Sequence, residues 1–570
     1  MTLPRGLAVR FPVVQSLTLG PSLIGLAIGG VLLLFLVLPI GQVVFVAFSD
    51  GAGGFTLAHF VGFFQRALFR EAFYNSFYVA GVSVVLASAI AIPLAYLTVR
   101  LHFRAPVLLQ TLSVLPLLMP PFVGAVALQL LFGRSGSINL ILDDWFGVTV
   151  PIMEGLNGVI FVEAIHYFPF ILLNLSAAMA TIDGSLEEAA QNLGCHGLRL
   201  LRRIILPLAM PGYVAGATLM FVKVFDDLGT PLLLNVTNML APQAYLRISN
   251  IGLHDPSGYV ISVIMVAFSV FALWAGQRAL AGRDYATVQR GGAMQRRELK
   301  AGQRILSYTF LTLVLLLVLS PHIGVLLLAF SELWSFSVFP EGFTTAHFAQ
   351  VLTHSPQYVV NTLLYCTLAA LLDVTLGTAI AYVMLRTSLP GRRLLDSIAS
   401  GALAIPGVVL GIGYLRSFYD IQAPFSDQPL SSTWFILIMA LTIRRLPYAL
   451  RSCVASLTQV HVSMEEAAEN CGASRARTLR RIVVPLMAGG IIAGFIASFI
   501  TAAVELSATL MLVSSQEAAP LSYGIYVYMQ SAAGRGPGAA LGVVAVVMVG
   551  IGTYATHRLL LRQSGSALTF

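Results

Sequence analysis

The stretch Glu187-Glu188-Ala189-Ala190-Gln191-Asn192-Leu193-Gly194, which runs on to Arg202-Arg203-Ile204-Ile205-Leu206-Pro207, decides the fold of this chain. A second copy, Glu465-Glu466-Ala467-Ala468-Glu469-Asn470-Cys471-Gly472 to Arg480-Arg481-Ile482-Val483-Val484-Pro485, follows 278 positions later (466 minus 188). Both copies are polar, and each lies between long apolar segments. Two copies with one internal spacing predict two homologous halves and one local structure that is used twice.

The composition is that of a membrane protein. Of 570 residues, 57% are hydrophobic and only 10% are charged, and the mean hydropathy is +0.84. A soluble domain carries about 25% charged residues. Apolar runs of roughly 20 residues, the length that crosses a bilayer as a helix, recur along the chain. Transmembrane β-barrels have short alternating segments instead. We therefore predict an all-α polytopic membrane protein embedded in a lipid bilayer.

Twelve membrane helices are predicted, six in each half. The expected ranges are 23–47, 74–98, 107–132, 157–180, a fifth from after Pro211 to about 234, 259–281, 305–330, 359–385, 394–418, 432–455, 486–513 and 538–560. The repeats then occupy 1–282 and 305–570, and a basic linker at 283–304 joins them. Because each repeat has six helices, the two are parallel rather than inverted. Prolines 116, 120 and 121 should kink the third helix inside the bundle.

The distribution of positive charge predicts the orientation. Lys and Arg collect on the cytoplasmic side of membrane proteins, so the net charge of +8 reflects topology rather than a nucleic-acid partner. Most arginines between helices fall in loops that are cytoplasmic if the N-terminus is cytoplasmic. We expect both termini and both polar repeats on that side. The first apolar run is too long for the core of a signal peptide and is interpreted as a membrane helix.

Each polar repeat should fold as a short helix, a glycine turn and a second short helix. Glu-Glu-Ala-Ala is strongly helix-forming, and Asp183 or Ser185, with Ser463 in the second copy, is available as the N-cap. Gly194 and Gly472 would then end the helix. The alternative is a solvated connector without a function, which the repeated spacing disfavours.

The repeats resemble the motif that marks permease subunits of ABC importers: EAA, three residues, Gly, nine residues, Ile-x-Leu-Pro. Residues 188–207 fit it at every position. The second copy, at 466–485, departs from it only at Val484, where leucine is usual. The resemblance covers nearly the whole chain, because both six-helix halves match the core of the family. It implies the type I permease fold of ABC importers.

In that family the motif forms a coupling helix, which sits in a groove of the ATP-binding subunit. The resemblance implies that Glu188 and Glu466 cap and orient this contact and that the glycines supply its turn. The coupling residues it implies are Glu187, Glu188, Ala189, Ala190, Gly194, Pro207, Glu465, Glu466, Ala467, Ala468, Gly472 and Pro485. It also implies two partners, an ATPase dimer and a periplasmic substrate-binding protein, and a place in the bacterial inner membrane.

No motif for chemical catalysis is present in the sequence. The chain has two lysines, Lys223 and Lys300, and neither lies in a G-x-x-x-x-G-K-[ST] loop that could cradle ATP. The four cysteines form no CxxC pair and are interpreted as unpaired thiols, without a metal site. We predict that the chain is not an enzyme and binds no cofactor, and that a separate subunit hydrolyses ATP.

Charged residues inside the predicted membrane helices are the candidates for a translocation path, because each costs about 2.5–3.5 kcal/mol on insertion scales. Two interpretations stay open for the charges of the fifth helix. Lys223 and Asp227 could form an i,i+4 ion pair that is purely structural. Alternatively, acidic residues of both halves line the path. The candidate path residues are Lys223, Asp226, Asp227 and Glu505, and Glu505 is aligned with Asp227 by the 278-residue offset.

Other charged residues in the predicted membrane helices can be explained without a role in transport. Arg444 and Arg445 are expected to snorkel to the cytoplasmic edge. Glu163 and His166 could form a polar cluster. Asp373 has no partner that the sequence identifies.

The leading hypothesis is a fused permease of a binding-protein-dependent ABC importer in the ferric-iron and thiamine group. Residues 504–509, 523–526 and 534–538 resemble permeases assigned to 2-aminoethylphosphonate uptake, which is therefore the substrate we expect; ferric iron and thiamine are the alternatives. A secondary transporter of twelve helices driven by ions is the rival class. It would explain the intramembrane acids, but it leaves both polar repeats without a role.

Overall fold

The computed structural model describes residues 19–51, 54–103, 106–280, 301–424, 427–531 and 533–564, which are almost entirely helical. Within these ranges, nine helices are long and apolar enough to cross a membrane, or eleven if each of two bent pairs is one span. The helix Trp434–Gln459 is also long enough but carries three arginines. It brings the number of membrane helices to the twelve predicted, and we number them first to twelfth. The all-α polytopic fold is confirmed.

The membrane helices of the first half follow the predicted order, with a break in the third. They are Ser22–Phe48, Ala67–Arg100, the pieces Pro106–Val114, Leu115–Leu118 and Pro121–Phe132, then Gly155–Ala180, Leu206–Asp226 and Pro256–Leu280. Shorter helices at Ala58–Gln65, Ser137–Phe146, Gly229–Leu233 and Leu240–Asn250 connect them. Most of the predicted linker at 283–304 lies outside the described residues.

The second half repeats this order. Its membrane helices are Ala301–Phe330, Pro356–Arg386, the pair Arg392–Gly401 and Gly407–Phe418, then Trp434–Gln459, Ala488–Ala503 and Arg535–Ser564. Short helices lie at Ala346–His354, Ser507–Leu512 and Leu521–Met529, and a hairpin pairs Ser331–Leu333 with Glu341–Phe343.

The predicted ends of the fifth and eleventh helices were wrong. The fifth ends at Asp226 rather than near 234, and the eleventh ends at Ala503 rather than at 513. In the first half the backbone leaves the helical conformation at Asp227, whose ψ is 128°. A short separate helix follows each break, because a carboxylate at the break caps its first turn.

The third and ninth helices are broken at prolines, and the predicted kink of the third is confirmed. Pro120 is extended, with ψ 138°, and a new helix begins at Pro121. In the ninth helix Pro406 is likewise extended, and the two pieces meet at an angle of 111°. A break inside a membrane frees backbone groups that must find partners within the bundle. These partners form part of the site described below.

Close helix packing in both halves relies on glycines at equivalent positions. A Cβ on Gly216 would lie 2.6 Å from the carbonyl oxygen of Phe170, and one on Gly494 would lie 3.1 Å from the Cα of Ala449. The fifth helix therefore packs tightly against the fourth, and the eleventh packs tightly against the tenth. Small residues at such contacts let helix backbones approach in a membrane. All four cysteines are free thiols, as predicted.

A proline in each polar repeat produces the same turn of π-helix. Leu201–Ile205 and Leu479–Val483, separated by the 278-residue offset, are both π-helical. Pro207 and Pro485 have no N–H to donate four residues back, and a single π turn is a common local adjustment of a helix. The proline that occurs in both repeats therefore accounts for the π-helical turn that precedes the fifth helix and the one that precedes the eleventh.

Candidate functional site

The two polar repeats fold as predicted, as a short helix followed by a glycine turn. The helices are Gly184–Asn192 and Val462–Asn470. Gly194 and Gly472 both have φ +81°, a left-handed conformation that favours glycine. Six membrane helices separate the copies, so both lie at the same end of the bundle.

The N-cap prediction was right for the first copy and wrong for the second. The carboxylate of Asp183 accepts a hydrogen bond from the N–H of Ser185 at 2.9 Å. In the second copy Nδ1 of His461 accepts the equivalent bond from the N–H of Ser463 at 3.3 Å. A histidine nitrogen thus replaces the usual oxygen acceptor, and Ser463 is the donor rather than the cap.

An arginine anchors each short helix to the membrane bundle. Arg100 Nη2 lies 2.6 Å from Glu187 Oε1 and also donates to the carbonyl of Met179 at 3.0 Å. In the second half Arg386 Nε lies 2.5 Å from Glu465 Oε1, and its Nη2 donates to the carbonyl of Val460 at 2.6 Å. In the first half the guanidinium of Arg100 therefore connects the end of the second membrane helix to the end of the fourth and to the short helix. In the second half Arg386 connects the eighth membrane helix to the tenth and to the short helix in the same way.

These anchors assign different tasks to the two glutamates of each repeat. Glu187 and Glu465 point inward to the arginines, whereas Glu188 and Glu466 are exposed. Burial raises the pKa of Glu187 above its usual range, and the charge of Arg100 offsets part of that rise. Arg100 and Arg386 belong to the positive charge that predicts the orientation, and the sequence alone assigned them no other role. Their position at the end of equivalent helices in both halves was the available signal.

The outward face of each short helix carries exposed apolar side chains at equivalent positions. Leu186 is 42% exposed, and Met464, 278 positions later, is 47% exposed. Leu193, next to the glycine turn of the first copy, is 88% exposed. An apolar face turned away from the bundle at the same place in both copies is typical of a protein interface.

A second cluster of charges lies buried where the two halves meet. Arg444 on the tenth helix hydrogen-bonds Asp226 at the end of the fifth helix, and its Nη1 lies 3.4 Å from Glu505 Oε1. The ion pair with Asp226 therefore connects the halves. The expectation that Arg444 and Arg445 snorkel to an edge was wrong, since they are 8% and 5% exposed. Carboxylates inside the bundle offset the cost of burying Arg444.

The expected ion pair between Lys223 and Asp227 is not formed. Asp227 Oδ2 instead accepts the N–H of Thr230 at 2.9 Å and so caps the helix Gly229–Leu233. Glu505 does the same in the second half, where its carboxylate accepts the N–H of Ala508 at 3.0 Å. The two aligned carboxylates therefore share a structural task, because each begins the short helix after a broken span.

Asp226 breaks the symmetry between the halves. Its Oδ1 accepts the N–H of Gly407 at 2.8 Å, which satisfies the first free donor of the broken ninth helix. A Cβ on Gly407 would overlap the guanidinium of Arg444, so a side chain at this position would displace Arg444 from the carboxylates. In the other half Val504 takes the place of Asp226, and the broken third helix restarts at Pro121, which has no N–H to satisfy.

A cavity of ≈ 300 Å³ opens beside this cluster, between the halves. It contains all four candidate path residues, Lys223, Asp226, Asp227 and Glu505. Its other lining residues come from the third, fourth, tenth and eleventh helices and their continuations: Val114, Leu117, Leu118, Pro121, Phe122, His166, Tyr167, Phe170, Arg444, Arg445, Tyr448, Ile500, Thr501, Val504, Leu506 and Ser507.

Three further polar residues of the membrane helices, Glu163, His166 and Asp373, have neighbours that the sequence did not predict. Glu163 lies beside Asp227 and Thr230, whereas the ring of His166 packs edge-on against that of Tyr167, with the ring centroids 4.6 Å apart. No hydrogen bond joins Glu163 to His166 in the described part of the chain, although Asp227, the neighbour of Glu163, lines the same cavity as His166. Asp373 lies beside Ser498 of the eleventh helix, a partner that the sequence did not identify.

Comparisons with known proteins agree with this architecture. The sequence profile of the family described as "Binding-protein-dependent transport system inner membrane component" matches residues 84–283 and again 373–563. Two separate matches confirm the predicted internal repeat.

Several individual relatives cover much of the chain. It is 26% identical over 470 residues to the ferric transport system permease protein FbpB of Actinobacillus pleuropneumoniae. The aligned region covers 79% of this chain and 65% of that protein. It is also 26% identical over 449 residues to a putative ferric transport system permease protein of Haemophilus influenzae, covering 77% and 70%. The chain thus spans just under two thirds of the first relative.

Shorter similarities extend the comparison. A probable molybdenum ABC transporter permease protein of Haloferax volcanii is 31% identical over 249 residues, 44% of this chain and 86% of that protein. Among solved structures, a bacterial ABC transporter that imports the acidic polysaccharide alginate matches 46% of this chain and 95% of its own, at 20% identity and a TM-score of 0.37.

Proposed function

The chain belongs to the family of binding-protein-dependent transport system inner membrane components, and from this premise we propose that it is the transmembrane permease subunit of an ATP-driven importer. One observation carries the proposal: two equivalent short helices, each anchored inward by an arginine, present equivalent exposed faces at one end of the bundle. Each face would receive one subunit of an ATPase dimer, and this end would be cytoplasmic. Both termini would then lie in the cytoplasm.

The roles of the repeat residues follow from their directions. Leu186 and Met464 would insert into the ATPase groove, and the exposed Glu188 and Glu466 would orient the contact. Ala189 and Ala467, also exposed, would let the helix approach the groove closely, and Gly194 and Gly472 would turn the chain back to the bundle. Ala190 and Ala468 are buried and would pack the helix against the bundle.

Movement of the ATPase subunits would reach the membrane helices by two routes. The first passes through Arg100 and Arg386 to the second and eighth helices. The second passes through the π turn and Pro207 or Pro485 to the fifth and eleventh helices, which end at the buried charge cluster. Because both routes are duplicated, closure of an ATPase dimer would act on both halves together.

The cavity between the halves is the proposed translocation path. Lys223, Asp226, Asp227 and Glu505 line it. The pair of Asp226 with Arg444 spans the two halves, so a relative movement of the halves that opens the path would break it. The structure would then correspond to a state with a closed path, in which the ion pair between Asp226 and Arg444 holds the two halves together.

Substituting both anchors should uncouple the ATPase from transport. In the double variant Arg100→Met, Arg386→Met the short helices keep their outward faces but lose their link to the bundle, so the ATPase should still bind. We expect uptake to fall by about tenfold or more, since removing one partner of a largely buried ion pair costs about 3–5 kcal/mol. Uptake and ATP hydrolysis are measured together in proteoliposomes. Arg475→Met, which removes an exposed ion pair in the same region, is the matched control.

The variant with exchanged charges, Arg386→Glu, Glu465→Arg, shows whether uptake depends on the ion pair itself or on an arginine at position 386 for local folding. The restored pair should recover part of the uptake lost in Arg386→Met. An anchor variant that transports at the unsubstituted rate would contradict this role for the arginines.

The exposed glutamates test the coupling proposal itself. In the double variant Glu188→Lys, Glu466→Lys the membrane bundle is untouched, because both side chains point outward. We expect ATP hydrolysis that no longer responds to the loaded binding protein, together with loss of uptake. Unaltered uptake in this variant would refute the proposed role of the repeats.

The substrate is a separate question, for which the relatives favour ferric iron. Two relatives that each cover more than three quarters of the chain are named for ferric transport. The reported relatives give no support to 2-aminoethylphosphonate, the substrate expected from the sequence, or to thiamine. We propose ferric iron, delivered by a periplasmic binding protein, as the transported metal. Uptake of radioactive iron by cells that express the complete transporter tests this assignment directly.

A further inference from the structure

The carboxylates around the central cavity are already held by donors of the protein. Asp226 accepts from Arg444 and from the N–H of Gly407. Asp227 accepts the N–H of Thr230. Glu505 accepts from the backbone N–H of Ala508 and Thr509 and lies beside Arg444. Asp226 and Glu505, each with two or more donors, therefore leave few free acceptor sites to a ligand that enters the cavity.

Two cations on the same cavity are not engaged in this way. Arg445 lines the cavity at 5% exposure, its buried Nε has no hydrogen-bond partner, and it forms no ion pair within the described residues. Lys223 also lines the cavity; it lies against the hydroxyl of Tyr448 and pairs with neither neighbouring aspartate in the described part of the chain. Three cations and three carboxylates line the cavity in total, but the donors left over are those of Arg445 and Lys223.

We propose that Arg445 and Lys223 form a binding site for an oxyanion, such as a phosphate, phosphonate or carboxylate group carried by the passing substrate. The guanidinium fork of an arginine matches two oxygens of such a group, and a lysine ammonium adds a point charge. Tyr448 offers a further hydroxyl at the same wall. Because the side chain of Arg445 is buried, a hydrogen bond to it is stronger than it would be at a surface.

This site restricts the form in which a metal could pass. A bare cation would be repelled by Arg445 and Lys223, and at Asp226 and Glu505 it would compete with the donors that these carboxylates already have. An iron that carries its own oxyanion ligands would instead present oxygens to these donors. The inference thus refines the proposed transport of iron, but the site itself does not depend on which substrate is carried.

Anion binding by the purified chain tests the site without the ATPase. The chain is placed in phosphatidylcholine nanodiscs and titrated calorimetrically with inorganic phosphate and with methylphosphonate, against sodium chloride of equal ionic strength. We expect saturable binding of both anions. In Lys223→Met, Arg445→Met the affinity should fall by about tenfold or more, as for loss of charge-assisted bonds. Arg134→Met, an exposed arginine away from the cavity, should bind as the unsubstituted chain does.

Further variants cover the case in which the double variant fails to fold. Arg445→Lys keeps the charge but loses the fork, and Lys223→Met leaves the arginine in place; each should bind more weakly than the unsubstituted chain. Nanodiscs with phosphatidylglycerol distinguish a lipid headgroup from a free anion, because a site for headgroups would bind phosphate more weakly there. That outcome, the absence of saturable binding, or equal affinity in all variants would overturn the proposal. Co-purification of the ATPase reports on the proposed function separately.

Discussion

Replacing Arg444 by methionine should destabilise the folded chain by about 3–5 kcal/mol, the cost of removing one partner from a buried ion pair. Asp226 and Glu505 would both lose their guanidinium, and both are buried. Asp226 would keep only the N–H of Gly407 as a donor. The effect should appear as a large fall in the midpoint of thermal unfolding in detergent.

Arg416→Met is the matched control for this substitution. Arg416 is partly buried and forms an i,i+4 pair with the exposed Asp420 at 3.6 Å, and i,i+4 pairs on a helix surface contribute only about 0.3–0.5 kcal/mol. Asp226→Asn should lie between the two, since an amide oxygen can still accept the N–H of Gly407. Equal unfolding midpoints for Arg444→Met and Arg416→Met would show that the central cluster does not hold the halves together.

Placing aspartate at both Leu186 and Met464 should abolish binding of the ATPase subunits. Apolar anchors at the centre of an interface typically contribute 2 kcal/mol or more each. Since 1.4 kcal/mol is a factor of ten, about 4 kcal/mol from the two positions together should weaken binding nearly a thousandfold. The affinity of the purified ATPase for the chain in detergent measures this loss. The membrane bundle should be unaffected, because both side chains point away from it.

The control places the same charge on an exposed apolar residue elsewhere, in Tyr419→Asp, which follows the ninth helix. The affinity of this variant for the ATPase should equal that of the unsubstituted chain. Single substitutions at Leu186 or Met464 should each weaken binding by a smaller factor, because the other helix still docks. An unchanged affinity in the double variant would place the ATPase contact elsewhere.

Local features were predictable because their causes lie within a few residues. The 278-residue offset indicated two halves, and each glycine turn followed from a helix that had to stop. Asp183 as the N-cap and the break at Pro120 likewise depend only on neighbouring residues. The predicted arrangement was wrong at His461, where a histidine nitrogen takes the capping position that serine or aspartate usually fills.

Partners that are distant in the sequence could not be predicted from it. Asp226 and Arg444 are 218 residues apart, and the internal repeat gave no help, because their counterparts in the other half are Val504 and His166. Without that contact, Lys223 offered a plausible partner at i,i+4 for Asp227, whose real task is to begin the next helix. Arg100 and Arg386 were visible, but positive charge near a helix end also has a topological explanation.

The driving force for uptake is the most direct test of the account. The purified chain is reconstituted in proteoliposomes with its ATPase subunit and binding protein, and accumulation of iron is measured with ATP and without any ion gradient. We predict accumulation that requires both ATP and the ATPase subunit. Accumulation driven by a proton or sodium gradient in the absence of the ATPase would contradict the account and identify the chain as a secondary transporter.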